Sequence, residues 1–139
     1  MRSLIALFAA AFAFTGAAQA LDAPEAIDGA TTVDADAVIE LITSTPDLVI
    51  LDNRRVADYE AGHIEGAVRL LDADIESDAD ISAHVGDKGD PVLFYCNGLS
   101  CGRAANAANK AIEFGYSNVF YYARGIEEWR ELGLPLITQ

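Results

Sequence analysis

Apolar residues cluster in short unbroken runs separated by polar or glycine-bearing stretches. Leu48-Val49-Ile50-Leu51 and Val92-Leu93-Phe94-Tyr95 have the length and continuity of strands buried on both faces, residues 118–122 form a third such run, and residues 67–70 form a weaker fourth. Between them lie segments with helical signals. Asp34 or Asp36 can cap a helix through Ala37, Val38, Ile39, Leu41 and Ile42 that ends before Pro46. Further helices are predicted over 56–60, broken by Gly62, over the Ala-rich stretch 103–114, and over 125–132. Residues 21–32 mix Pro, Gly, Ala and acids without periodicity and read as a lead-in segment. Strands alternating with helices predict an α/β fold: a parallel sheet with helices on both faces.

The first twenty residues belong to a different pattern. Met1-Arg2 gives a basic start, residues 4–14 are continuously apolar, and Ala18-Gln19-Ala20 supplies the small residues that a signal peptidase reads. The apolar core is shorter than the roughly 18 residues of a spanning helix, so residues 1–20 are expected to be a cleaved signal peptide. Residues 21–139 then form one domain, periplasmic or secreted, with no membrane contact after cleavage. No cysteine lies near the cut to carry a lipid.

Charge narrows the partners. Twenty-two acidic residues against nine basic ones give a net charge of −13, with no basic stripe, which excludes nucleic acid as a natural partner. Such a chain favours basic partners and must capture a small anion with local donors. The alternating acids Asp72, Asp74, Glu76, Asp78 and Asp80 suggest a calcium loop, but Ser77 stands where glycine is needed and Ala83 where glutamate is needed. They read instead as a solvated loop and helix start. Two cysteines and two scattered histidines make no metal site.

Chemistry concentrates in the loop Cys96-Asn97-Gly98-Leu99-Ser100-Cys101-Gly102-Arg103. It follows a strand and opens a helix, where unpaired backbone N–H groups and the helix dipole favour a thiolate and bind anions. Ligands of parallel α/β sheets bind beyond the carboxyl ends of strands, and Cys96 falls at one. Gly98 and Gly102 allow the backbone to turn its amides inward. The competing reading is that Cys96 is a small buried hydrophobe.

Three more segments accompany this loop in order: residues 48–54, residues 59–67, and Arg124-Gly125-Ile126-Glu127-Glu128-Trp129 with Gly133-Leu134-Pro135. With them the chain resembles the rhodanese family of sulfurtransferases over nearly all of residues 21–139. The resemblance implies a five-stranded parallel sheet and a nucleophilic cysteine, matching Cys96, that carries a persulfide. It also implies loop amides cradling the transferred sulfur and no metal or organic cofactor. A thiolate there attacks the outer sulfur of a small anionic donor such as thiosulfate, and the persulfide passes its sulfur to a thiol or cyanide.

The loop departs from the common pattern in two ways. Registered on the arginine that opens the following helix, it is about two residues longer than usual, which widens the pocket. A related phosphatase pattern has five residues between cysteine and arginine, whereas six separate Cys96 from Arg103. Cys101 is the second departure. It reads either as a resolving thiol that attacks the Cys96 persulfide and frees sulfide, or as a loop residue or passive staple. In an oxidising compartment the two thiols can pair. Arg103 either holds an anion or pairs with an acid, and Arg124, at another predicted strand end, is a further candidate anion contact. Asp52 and Arg54 are expected to fix their own loop, His63 to support a glycine-flanked turn, and Trp129 to lie in the core. The alternative to sulfur transfer is a thiol redox or sulfur-carrier module that works with a redox or sulfur-relay protein through Cys96 and Cys101, without thiosulfate:cyanide turnover.

Overall fold

The computed structural model describes residues 22–139; the expected signal peptide, residues 1–20, lies outside them. Five parallel strands form one sheet in the order β1-β5-β4-β2-β3. Along the chain these are β1 (Ala30–Thr32), α1 (Ala35–Ser44), β2 (Val49–Asp52), α2 (Val56–Ala61), β3 (Val68–Arg69), α3 (Asp78–Ser82), β4 (Val92–Tyr95), α4 (Arg103–Glu113), β5 (Val119–Tyr122) and α5 (Gly125–Glu131). A 3₁₀ turn at Asp72–Asp74 precedes α3. The four strands expected from the apolar runs are β2 to β5. The lead-in segment conceals the fifth. Among the described residues β1 is an edge strand paired only with β5, and the exposure of Thr31 and Thr32 removes the apolar signature that marks the others.

Central β4 is buried along its whole length because strands cover both edges and helices both faces. On one face Leu51, Phe94, Val119 and Tyr121 pack with the alanines of α4. Ala104, Ala105, Ala107, Ala108 and Ala111 are all buried, and their small side chains let the helix lie close to β4 and β5. On the other face Ile50, Leu93, Tyr95 and Tyr122 meet Val38 of α1 and Ile126 and Trp129 of α5. Each fully buried large apolar side chain contributes roughly 1.5–3 kcal/mol. The Asp34 side chain accepts from the Ala37 amide at 3.0 Å and caps α1.

Register sets the site. Asp52, Tyr95 and Tyr122 are aligned across β2, β4 and β5, so the loops after these strands leave the same edge of the sheet. His63 sits in the turn after α2, stacked on Tyr59 and bridged through its backbone to Ile137. Trp129 is in the core and donates to the Pro135 carbonyl at 2.9 Å.

Candidate functional site

Strand alternation sends Phe94 and Cys96 toward α4, and Leu93 and Tyr95 to the opposite face. Cys96 is therefore delivered into the core under the mouth of α4, 2% exposed. It is joined in a disulfide to Cys101, with the two Cα atoms 6.2 Å apart. The chain reverses between them through a tight turn in which the Cys101 amide donates to Gly98 O at 3.0 Å, bringing Cys101 back over Cys96. Cys101 is half-buried and lines an open hollow of about 400 Å³ with Asn97, Ser100, Gly102 and Arg103; Cys96 does not line it. The sulfur that meets solvent is thus Cys101.

Both ends of the loop are anchored. The amides of Ile126 and Glu127, in the first turn of α5, donate to the carbonyls of Cys96 and Asn97 at 3.0 and 2.9 Å. Asn106 of α4 donates to Gly102 O, and Ala23 donates to Leu99 O at 3.1 Å. The amides of Asn97, Gly98, Leu99, Ser100 and Gly102 have no hydrogen-bond partner among the described residues. Free amides grouped at the start of a helix suit an anion.

Gly98 and Gly102 serve a purpose other than backbone freedom, since neither has a positive φ. What they supply is space: a Cβ at Gly98 would strike the Glu127 carboxylate, and one at Gly102 would lie 2.8 Å from Asp22 O. Gly125 needs both space and freedom. Its φ is +56°, and a Cβ there would collide with the Cys96 carbonyl oxygen. Gly125→Ala is therefore expected to destabilise the fold by about 2 kcal/mol or more and to shift the Cys96 backbone. Gly66, at φ +81° with open space for 4 Å around the point a Cβ would occupy, provides the control for conformational strain alone. Equal urea midpoints for the two alanine variants would show that the collision has no energetic weight.

Two arginines flank the loop differently. Arg103 Nη1 lies 3.4 Å from Cys101 Sγ and 4.0 Å from Cys96 Sγ, and no acid is within ion-pair distance of it among the described residues. Arg124 is exposed and lines a separate hollow of about 320 Å³ with Leu99, Thr32, Asp34 and Glu25.

Beneath the site lies a buried polar network. Asp52 and Arg54 are both fully buried and paired at 2.7 Å. Arg54 Nη2 also donates to Gly62 O, and the Tyr95 hydroxyl donates to Asp52 while accepting from the Ile64 amide. Burial alone would lower the Arg54 pKa, but the hydrogen bonds and charge of Asp52 outweigh it and the net displacement is upward. Burial, reinforced by the Asp52 charge, pushes the Tyr95 hydroxyl well above its usual value, so it stays a neutral donor. Asn53 secures the same loop by donating to Leu70 O at 2.7 Å.

Asp22 and Ala23 carry no sequence signal for this site, since they lie in a segment without periodicity. Gly125 and Glu127 are visible in the sequence only as part of the segment shared with the resembled family.

Known proteins agree with this architecture. The sequence model of the family described as "Rhodanese-like domain" matches residues 34–132. The chain is 33% identical over 94 residues to the uncharacterized protein YibN of Escherichia coli K12, covering 66% of this chain and 62% of that relative's length. Among solved structures, the polysulfide-sulfur transferase homodimer of Wolinella succinogenes superposes with a TM-score of 0.65 at 20% identity, covering 80% of each chain. The human single-domain sulfurtransferase TSTD1 does so with a TM-score of 0.61 at 25% identity, covering 73% of this chain and 96% of that one.

Proposed function

The chain belongs to the rhodanese-like family, and on that premise we propose that its reduced Cys96 carries sulfane sulfur as a persulfide. The thiolate attacks the outer sulfur of the donor, the donor's remainder leaves (sulfite, when the donor is thiosulfate), and a thiol or cyanide then takes the sulfur from the enzyme. One observation carries this reading: Cys96 stands at the carboxyl end of β4, beside unpartnered loop amides, the start of α4 and the Arg103 guanidinium. These groups stabilise a thiolate and the anionic persulfide that replaces it. They also supply the local attraction an anion needs against a net charge of −13. No metal or organic cofactor takes part.

The proposed donors include polysulfide chains and thiol persulfides besides thiosulfate, because the open hollow beside Cys101 and Arg103, about 400 Å³, has room for them once the disulfide is reduced. The setting is periplasmic or secreted, the compartment where a Cys96–Cys101 disulfide persists, with a redox or sulfur-relay protein as partner. That disulfide also favours the second reading, a thiol redox module that exchanges electrons without turning over thiosulfate.

Intact mass separates the two. Cys101→Ser, which keeps Cys96 and cannot close the disulfide, is reduced, freed of reductant and given thiosulfate or polysulfide in turn; sulfur transfer predicts a gain of one sulfur atom, removed by cyanide as thiocyanate. A mass unchanged by every donor overturns the persulfide reading and leaves the redox module.

A further inference from the structure

We propose that Cys101 empties Cys96 by attacking its persulfide, so that the loop reduces sulfane sulfur to sulfide and ends each cycle in the disulfide seen in the structure. This rests on the persulfide reading above. In the step, the Cys101 thiolate bonds to the inner sulfur of Cys96–S–SH, the bond to the outer sulfur breaks, and that sulfur leaves as HS⁻. The sulfane sulfur gains two electrons, and the two cysteine sulfurs supply one each on becoming a disulfide. A dithiol then restores the site: one of its thiolates attacks Cys101 Sγ, Cys96 leaves as a thiolate beside Arg103, and the second thiol of the dithiol resolves the mixed disulfide.

Four observations support this assignment. The Gly98–Cys101 turn holds Cys101 over Cys96, with Cα atoms 6.2 Å apart, so attack is intramolecular and at high effective concentration. Cys96 is 2% exposed whereas Cys101 lines the open hollow, so Cys101 stands between the buried sulfur and any outside thiol. One cation, Arg103, lies within 4.0 Å of both sulfurs and serves whichever is anionic. Finally, backbone hydrogen bonds from Ala23, Asn106, Ile126 and Glu127 hold the loop carbonyls independently of the disulfide, so the loop stays anchored when the disulfide opens.

The test uses reduced wild type and Cys101→Ser, freed of reductant and charged with one equivalent of thiosulfate or polysulfide. Wild type is expected to release about one sulfide per chain and to end two hydrogens lighter than its reduced form. Cys101→Ser is expected to keep the added sulfur and release sulfide at least about tenfold more slowly. Persulfides of equal lifetime in the two proteins would overturn the resolving role while leaving sulfur transfer intact. Absence of added sulfur from Cys101→Ser, with no sulfide released by wild type, would overturn the persulfide reading and this proposal with it. The point of reduction is read separately: brief treatment of the disulfide form with glutathione, followed by alkylation, should place glutathione on Cys101 and the alkyl group on Cys96. The reverse pattern would refute attack at Cys101.

Discussion

Asp52→Asn is expected to cost about 3–5 kcal/mol of stability, the range for removing one partner of a buried ion pair. The Asp52 carboxylate accepts from the Arg54 backbone amide, from Arg54 Nε and Nη2, and from the Tyr95 hydroxyl. Asparagine removes the counter-charge and turns an NH₂ group toward these donors. Arg54 is fully buried, and its Nη1 already lacks a protein partner among the described residues. Against a total stability of about 5–15 kcal/mol, the loss would leave a large part of the protein marginal. Urea denaturation should show the midpoint falling with the slope unchanged. The double variant Asp52→Leu/Arg54→Met, which buries no charge, should be less damaged than Asp52→Asn alone. A loss below about 1 kcal/mol would instead mark the pair as an ordinary solvated ion pair.

The second large effect is chemical. Cys96→Ser is expected to abolish sulfur uptake, because a serine hydroxyl is neither ionised nor soft enough to attack a sulfane sulfur. It also removes the disulfide, whose small loop contributes about 2 kcal/mol by the chain-entropy estimate. Cys101→Ser loses the same covalent bond yet keeps the Cys96 thiol, and its serine stands at the open hollow whereas that of Cys96→Ser would be buried, so it is expected to be no less stable than Cys96→Ser. The pair of variants therefore separates chemistry from folding: sulfur uptake is expected to be lost only in Cys96→Ser, while both lose the disulfide. Uptake that survives in Cys96→Ser and vanishes in Cys101→Ser would exchange the roles of the two thiols.

The fold is most legible where the chemistry of the side chains and the geometry of the strand coincide. Val92 to Tyr95 is apolar throughout and is a strand with those bounds, because it is covered on every side. The start of α4 at Arg103 and the Asp34 cap are equally local features. β1 leaves no such mark because three edge residues with an exposed threonine pair need no apolar run. The site divides in the same way. Cys96 and its loop stand out through strand, glycines and helix in immediate succession. The spacing of Cys96 and Cys101 permits a disulfide, but only the Gly98–Cys101 turn brings the sulfurs together. Tyr95 joins Asp52 from 43 residues away, and Glu127 fills the space beside Gly98, contacts that arise from sheet order and leave no local trace.

The anchoring of the loop bears on how its mouth can be remodelled. Cys96, Asn97, Leu99 and Gly102 each have a carbonyl held by another element, whereas Ser100 is exposed and its amide is unpartnered among the described residues. Insertions or deletions beside Ser100 can therefore change the width of the opening while the nucleophile, the helix start and the sheet keep their places. Libraries varied there are the natural test of whether the width of the opening sets the size of donor that the proposed sulfur transfer accepts.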